Sequence, residues 1–303
     1  MSMHKLLVTS LGVLLGLCLL VPGQALAKKE IAVGGKNFTE QYILANFAKV
    51  LLEENGFDVT MKTGVGSTVC RQSLEHGQID MYFEYTGTGY TVFLKQDDKE
   101  IMSDKQKVYE YVRKADAENG LIWLEPLQFN NTYTLLMRKD QAQELGISSI
   151  SDLAQYMNEN PDELTIGVNS EFWARPDGFK PLMRLYDFRV PYGKVRKMDS
   201  GLVYQALRDG NVDVSMGFAT DGRIAAFGFI TLADDKSYFP TYNPCPVVRE
   251  DALEKYPELK EIFQPLSEKL TTEEMQKLNA KVDLENKDEE KTARDWLKAN
   301  GLI

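Results

Sequence analysis

One segment of the chain is written twice. LEHGQIDMYFEYTGTG, from Leu74, is echoed at a constant offset by LRDGNVDVSMGFATDG, from Leu207. Leu74, Gly77, Ile79, Asp80 and Tyr85 fall on Leu207, Gly210, Val212, Asp213 and Phe218. Each copy reads as a helix end, a glycine that releases the chain, an apolar buried strand and an aromatic at the strand's end. Small and hydroxyl residues follow. A fold for this chain must contain two similar units, each delivering an aromatic ring to the end of a strand.

The flanking pattern extends these units. Glu30–Val33 predicts a strand. NFTEQYILANFAKVLLEENG predicts a helix, with Asn37 and Glu40 forming a capping box and Gly56 ending it. FDVTMKTGV, Thr68–His76 and Ile79–Phe83 predict strand, helix and strand. A helix over Lys105–Asn119, a strand in TYTLLMRKD and a helix over Ser149–Met157, capped by Ser149 or Ser151, complete the first pass. LTIGVN, Pro181–Tyr186, KVRKM, Gly201–Arg208 and VDVSMGF repeat the alternation, PCPVVRED returns as a strand, and the charged C-terminal part is helical. Such alternation predicts mainly parallel, helix-covered α/β sheets. The chain is expected to cross near 130 and return near 240, giving a discontinuous lobe one of 28–131 and 240–303 and a lobe two of 132–239. Ligands collect at the carboxyl ends of strands in such sheets. Tyr85 and Phe218 are thus expected as opposite walls of a cleft, with Thr86-Gly87-Thr88 leaving room beside one wall.

Residues 1–27 predict a cleaved export signal. Lys5 precedes an apolar run of about 16 residues, Pro22–Gly23 breaks it, and Ala25-Leu26-Ala27 closes it as a small-x-small site. Leu17 before Cys18 argues against lipid attachment. Cleavage after Ala27 is expected to leave a soluble, periplasmic, monomeric chain. Loss of Lys5 takes the formal net charge from −10 to −11, which disfavours nucleic acid and anionic membrane. Cys70 and Cys245 remain. Export permits a disulfide between them, and sequence leaves that pairing open.

No GxSxG, HExxH, CxxC or phosphate loop is present, and His76 is the single histidine after the leader. No catalytic set, metal or cofactor is expected. Two more aromatics, Tyr133 in FNNTYTLL and Tyr242 in FPTYNPCP, fall at the two crossings. An aromatic wall with few charges suits a cation that cannot donate hydrogen bonds, since each π face contributes roughly 0.5–2 kcal/mol. A primary ammonium would need carboxylate acceptors, which the four aromatic positions do not supply.

GGKNFTEQYILANFAKVLLEENG, FEYTGTGY, EFWARPDGF and ATDGR resemble the substrate-binding proteins of ABC importers for glycine betaine and related osmoprotectants. The likeness runs in order through nearly all of 30–303. It implies a two-lobed periplasmic-binding-protein fold of type II, with a membrane permease and ATPase as partners. It also implies an aromatic box of Tyr85, Tyr133, Phe218 and Tyr242, with Asn131 where a backbone carbonyl nears the cation. Lys36, Thr88 and Arg175 would hold a carboxylate, Arg175 with two parallel donors. Phe218 departs from a four-tyrosine box but keeps a ring face. Lys36 and Arg175 favour a betaine or carnitine over choline. A choline-preferring protein of the same fold, or an amino-acid-binding one, is the alternative.

Overall fold

The computed structural model describes residues 29–303; the expected leader and its cleavage site lie outside the described residues. Ten strands form two five-stranded sheets. The strands are β1 (Lys29–Lys36), β2 (Phe57–Val65), β3 (Met81–Tyr85), β4 (Leu121–Trp123), β5 (Tyr133–Arg138), β6 (Ile166–Val168), β7 (Val195–Lys197), β8 (Val214–Phe218), β9 (Phe229–Thr231) and β10 (Pro244–Arg249). The first sheet has the order β2-β1-β3-β10-β4, and the second has β7-β6-β8-β5-β9. The same topology therefore appears twice, as a two-lobed α/β fold.

The repeated residues do the same work in both lobes. Leu74 and Leu207 are fully buried, and Ile79 and Val212 nearly so. Gly77 and Gly210 take left-handed backbone, at φ +67° and +73°, which a β-carbon disfavours. Asp80 accepts from the Ala32 amide at 2.7 Å and Asp213 from the Thr165 amide at 2.8 Å, so each aspartate ties its turn to the neighbouring strand.

The sheets are less parallel than the alternation predicts. β1 runs parallel to β2 and β3, and β6 parallel to β7 and β8. β10 runs antiparallel to β3 and β4, and β5 antiparallel to β8 and β9. The cause is the double crossing: β5 and β10 each arrive from the other lobe and enter their sheet from its carboxyl end. The crossings lie side by side. The Asn131 amide donates to the Tyr242 carbonyl at 3.0 Å, and the Tyr242 amide to Asn130 Oδ1 at 2.7 Å.

The expected capping box is absent. Helix α1 spans Thr39–Glu54, and its cap residue is Phe38, with no side-chain cap. Glu40 instead turns inward and is buried. Ser149 does cap its helix, Ile150–Glu159, in a capping box with Asp152. Cys70 and Cys245 are buried and free, packed in one apolar cluster of the first lobe with Leu74, Tyr82 and Trp123.

Candidate functional site

The carboxyl ends of β3 and β8 and both crossings converge on a cavity of about 560 Å³. Its lining includes all eight residues singled out from the sequence: Lys36, Tyr85, Thr88, Asn131, Tyr133, Arg175, Phe218 and Tyr242. Local structure explains their arrival. Tyr85 ends β3, and Phe218 ends β8 in register with Tyr133 on β5. Arg175 follows the short helix Ser170–Ala174, which Asn169 caps. Pro176 disfavours helical backbone at the residue before it, and Arg175 accordingly leaves the helix extended, at ψ 150°.

The rings form a chain of contacts. Tyr133 lies 5.1 Å from Phe218 and 5.6 Å, edge-on, from Tyr242. Tyr85 and Phe218 do not simply face each other. Phe38 stacks on Phe218 at 5.3 Å and on Tyr85 at 6.2 Å, standing between the two expected walls. Phe38 is placed there as the cap residue of α1. Within the helical turn Thr86–Thr88 there is no room at Gly87, while Thr88 itself lines the cavity. A β-carbon on Gly87 would sit 2.7 Å from the Thr241 carbonyl and 2.8 Å from the Tyr242 ring. That glycine lets Tyr242 close against the turn.

The cations are engaged. Lys36 Nζ meets Glu84 at 2.5 Å, both buried, and stands 5.1 Å over the Tyr85 ring. Arg175 grips Asp177 with Nε and one terminal nitrogen at 2.7 and 2.6 Å, donates to Glu171 at 3.1 Å and reaches Thr88 at 3.2 Å. Its guanidinium carbon lies 5.4 Å from the Tyr133 ring and 5.9 Å from that of Tyr242. The two-donor grip expected for a ligand carboxylate is thus made on Asp177, two residues away, because a charge this deep must be paired.

The expectation of few charges fails. Glu40, Glu171, Asp199, Asp221 and Asp283 also line the cavity, with Arg223. Two buried carboxylates organise it. Glu40 accepts from Tyr85, Asn131, Thr220 and Asn279 at 2.8, 2.8, 2.5 and 3.3 Å. Burial raises its pKa to about 7 against the lowering pull of those donors. Asp177 accepts from Tyr242 and Thr91 at 2.6 and 2.7 Å besides Arg175. Burial pushes it up most strongly, but the Arg175 guanidinium together with the Tyr242 and Thr91 hydroxyls holds it below the ordinary value. The lobes meet at both groups. At one end Thr220 reaches Glu40, and Arg223 pairs with Asp283 at 3.1 Å. At the other Thr91 reaches Asp177, and Ser67 reaches Glu171 at 2.6 Å. A sequence signal for Glu40 existed: a glutamate among Phe38, Tyr42 and Ile43, on a helix too apolar to have a wet face there.

The sequence model of one family, the substrate-binding domain of ABC-type glycine betaine transport systems, matches residues 29–299. A glycine-betaine-binding protein of Pseudomonas aeruginosa is 40% identical over 296 residues, covering 95% of this chain and 94% of that one. A carnitine transport binding protein of Listeria monocytogenes, OpuCC, is 33% identical over 91% of this chain and 89% of its own length. A solved structure described as a glycine betaine/carnitine/choline ABC transporter is 30% identical, with a TM-score of 0.72 over 90% of this chain and 99% of that one. The chain belongs to this family of substrate-binding domains, and its fold is the two-lobed type II periplasmic-binding-protein fold with the ligand cleft between the lobes.

Proposed function

We propose that this member of the family is the exported receptor of an ABC importer, taking a quaternary-ammonium osmoprotectant and handing it to the permease. Glycine betaine, or a related betaine or carnitine, is the ligand class. The cation would sit among Tyr85, Tyr133, Phe218 and Tyr242. The observation that carries this reading is the convergence of four aromatic residues from two strand ends and two crossings on one cavity, where π faces favour a cation that needs no hydrogen-bond acceptor. Lys36, Thr88 and Arg175 lie in the same lining and supply donors for a carboxylate. Relatives of the chain include glycine-betaine- and carnitine-binding proteins, which supports the ligand class. Export, cleavage after Ala27 and a monomeric state belong to the same proposal; N-terminal sequencing of the exported chain beginning at Lys28 would support the cleavage site.

A second reading, choline, is favoured by one observation. Lys36 and Arg175 are already neutralised by Glu84 and Asp177, so a ligand without a carboxylate leaves no cation unmatched. Calorimetry with glycine betaine, carnitine and choline on the purified chain tests the main reading, and no binding by any of the three would end it. Arg175→Ala separates the two ligands. It should weaken betaine strongly and choline much less if the guanidinium meets the ligand, whereas equal losses would make Arg175 a support of the lobe seam.

A further inference from the structure

We propose that Glu40 is the positioning residue that ties seating of the ligand cation to closure of the lobes, one carboxylate oxygen holding the aromatic box and the other holding the second lobe. This rests on the aromatic-box reading above. Oε1 accepts from the hydroxyl of Tyr85, at the end of β3, and from the amide of Asn131, in the first crossing. Oε2 accepts from the hydroxyl of Thr220, in the loop after β8, and from the amide of Asn279, in the penultimate helix Thr272–Asp283. The Asn279 amide also donates to the Thr220 carbonyl at 2.9 Å. Four segments are thus joined at a single planar group. The two oxygens are rigidly linked. Any rotation that follows Thr220 as the second lobe moves also displaces the acceptor that orients Tyr85.

Among the buried carboxylates that line the cavity, Glu40 is the one that meets no cation; Asp199 is exposed to solvent. Lys36 on β1 is matched by Glu84 of β3. Arg223, in the second lobe, is matched by Asp221 and by Asp283 of the helix Thr272–Asp283. Among the described residues no cation is paired with Glu40, and burial holds its acid form up to about pH 7. A quaternary ammonium against Tyr85 brings the missing positive charge. It favours the ionised carboxylate, whose hydrogen bonds to Thr220 and Tyr85 are then charge-assisted and stronger. The proton released goes to solvent. Cation arrival therefore strengthens the bond that spans the lobes, which is the differential affinity that closure requires.

The test is calorimetry with glycine betaine at pH 7 in two buffers of different ionisation enthalpy, together with small-angle scattering. The wild-type chain should release a fraction of a proton on binding and compact. Glu40→Gln should bind roughly 10- to 100-fold more weakly, release no proton and compact little. Tyr85→Phe and Thr220→Val touch opposite oxygens. Their effects should not multiply in the wild-type chain and should multiply in Glu40→Gln. If Glu40→Gln does not fold, Glu40→Asp serves, keeping the charge but too short for all four donors; proton release should persist while compaction falls. Proton release unchanged in Glu40→Gln, or independent effects of Tyr85→Phe and Thr220→Val in the wild-type chain, would overturn the assignment while leaving the box intact. A wild-type chain that binds no quaternary ammonium would instead overturn the box reading and this inference with it.

Discussion

The two ends of the cleft hold buried carboxylates in nearly matching frames. Glu40 takes a hydroxyl from the box residue Tyr85 and another from Thr220 of the opposite lobe. Asp177 takes a hydroxyl from the box residue Tyr242 and another from Thr91 of the opposite lobe. The remaining partners differ. Glu40 has only the amides of Asn131 and Asn279, whereas Asp177 has the guanidinium of Arg175. Burial pushes both pKa values up, yet Glu40 ends near 7 and Asp177 below its ordinary value. Hydrogen bonds from neutral groups alone do not offset the loss of water around a charge here; with a matched cation beside them they do. One end of the cleft is therefore fixed in its charge, and the other is poised to change.

The largest test of that contrast is stability. Asp177→Ala strips Arg175 of its main partner in the interior and should cost about 3–5 kcal/mol. Glu40→Gln strands no cation and should cost about 1 kcal/mol at pH 7. Urea unfolding of both measures this, and equal losses would show that the guanidinium is not what distinguishes the ends. Next is pH. The fold favours the acid form of Glu40, so its contribution is fully present below the unfolded value of 4.5 and is lost as pH rises through about 7. Wild-type stability should fall relative to Glu40→Gln by about 3 kcal/mol across that window. Asp177 has the opposite sign. Its contribution is present above the unfolded value and is lost as pH falls through the lowered folded one, so Asp177→Asn should alter the profile only at the acid end. A Glu40→Gln profile parallel to wild type would break the comparison. The smallest effects concern ligand binding. Tyr85→Ala should weaken betaine by about 1–3 kcal/mol through loss of the ring face, and Tyr85→Phe by less. Tyr242→Phe should cost about 1 kcal/mol more than Tyr85→Phe, because its hydroxyl serves a carboxylate that stays charged. Titration calorimetry at pH 6 sharpens the difference, since Glu40 is then mostly neutral.

What sequence could reach follows from what is local. The doubled helix–glycine–strand unit carries its own turn chemistry, in Gly77, Gly210, Asp80 and Asp213, and so the two α/β lobes are legible from one chain. The ends of β3 and β8 were legible for the same reason. The partners across the cleft were not. That Phe38 stands between Tyr85 and Phe218 depends on how one lobe leans on the other. That Arg175 turns to Asp177 depends on a backbone that leaves its helix before Pro176. The spacing of Glu40 from Asn37 fits a cap, and spacing carries no sign of the four donors that arrive from β3, the first crossing, the loop after β8 and the helix Thr272–Asp283.

Cys70 and Cys245 give the first lobe a clock. Both thiols are buried, and burial pushes Cys70 up to about 12 and Cys245 far above its ordinary value, so neither is a nucleophile in the closed interior. The 132–239 segment contains no cysteine. A thiol-specific dye mixed with a chain begun at Lys28, which omits Cys18, can react only when the first lobe opens, and it is blind to the second. Its labelling rate therefore times the local unfolding of one lobe, and the retardation produced by a saturating solute reads how firmly the occupied cleft holds that lobe shut.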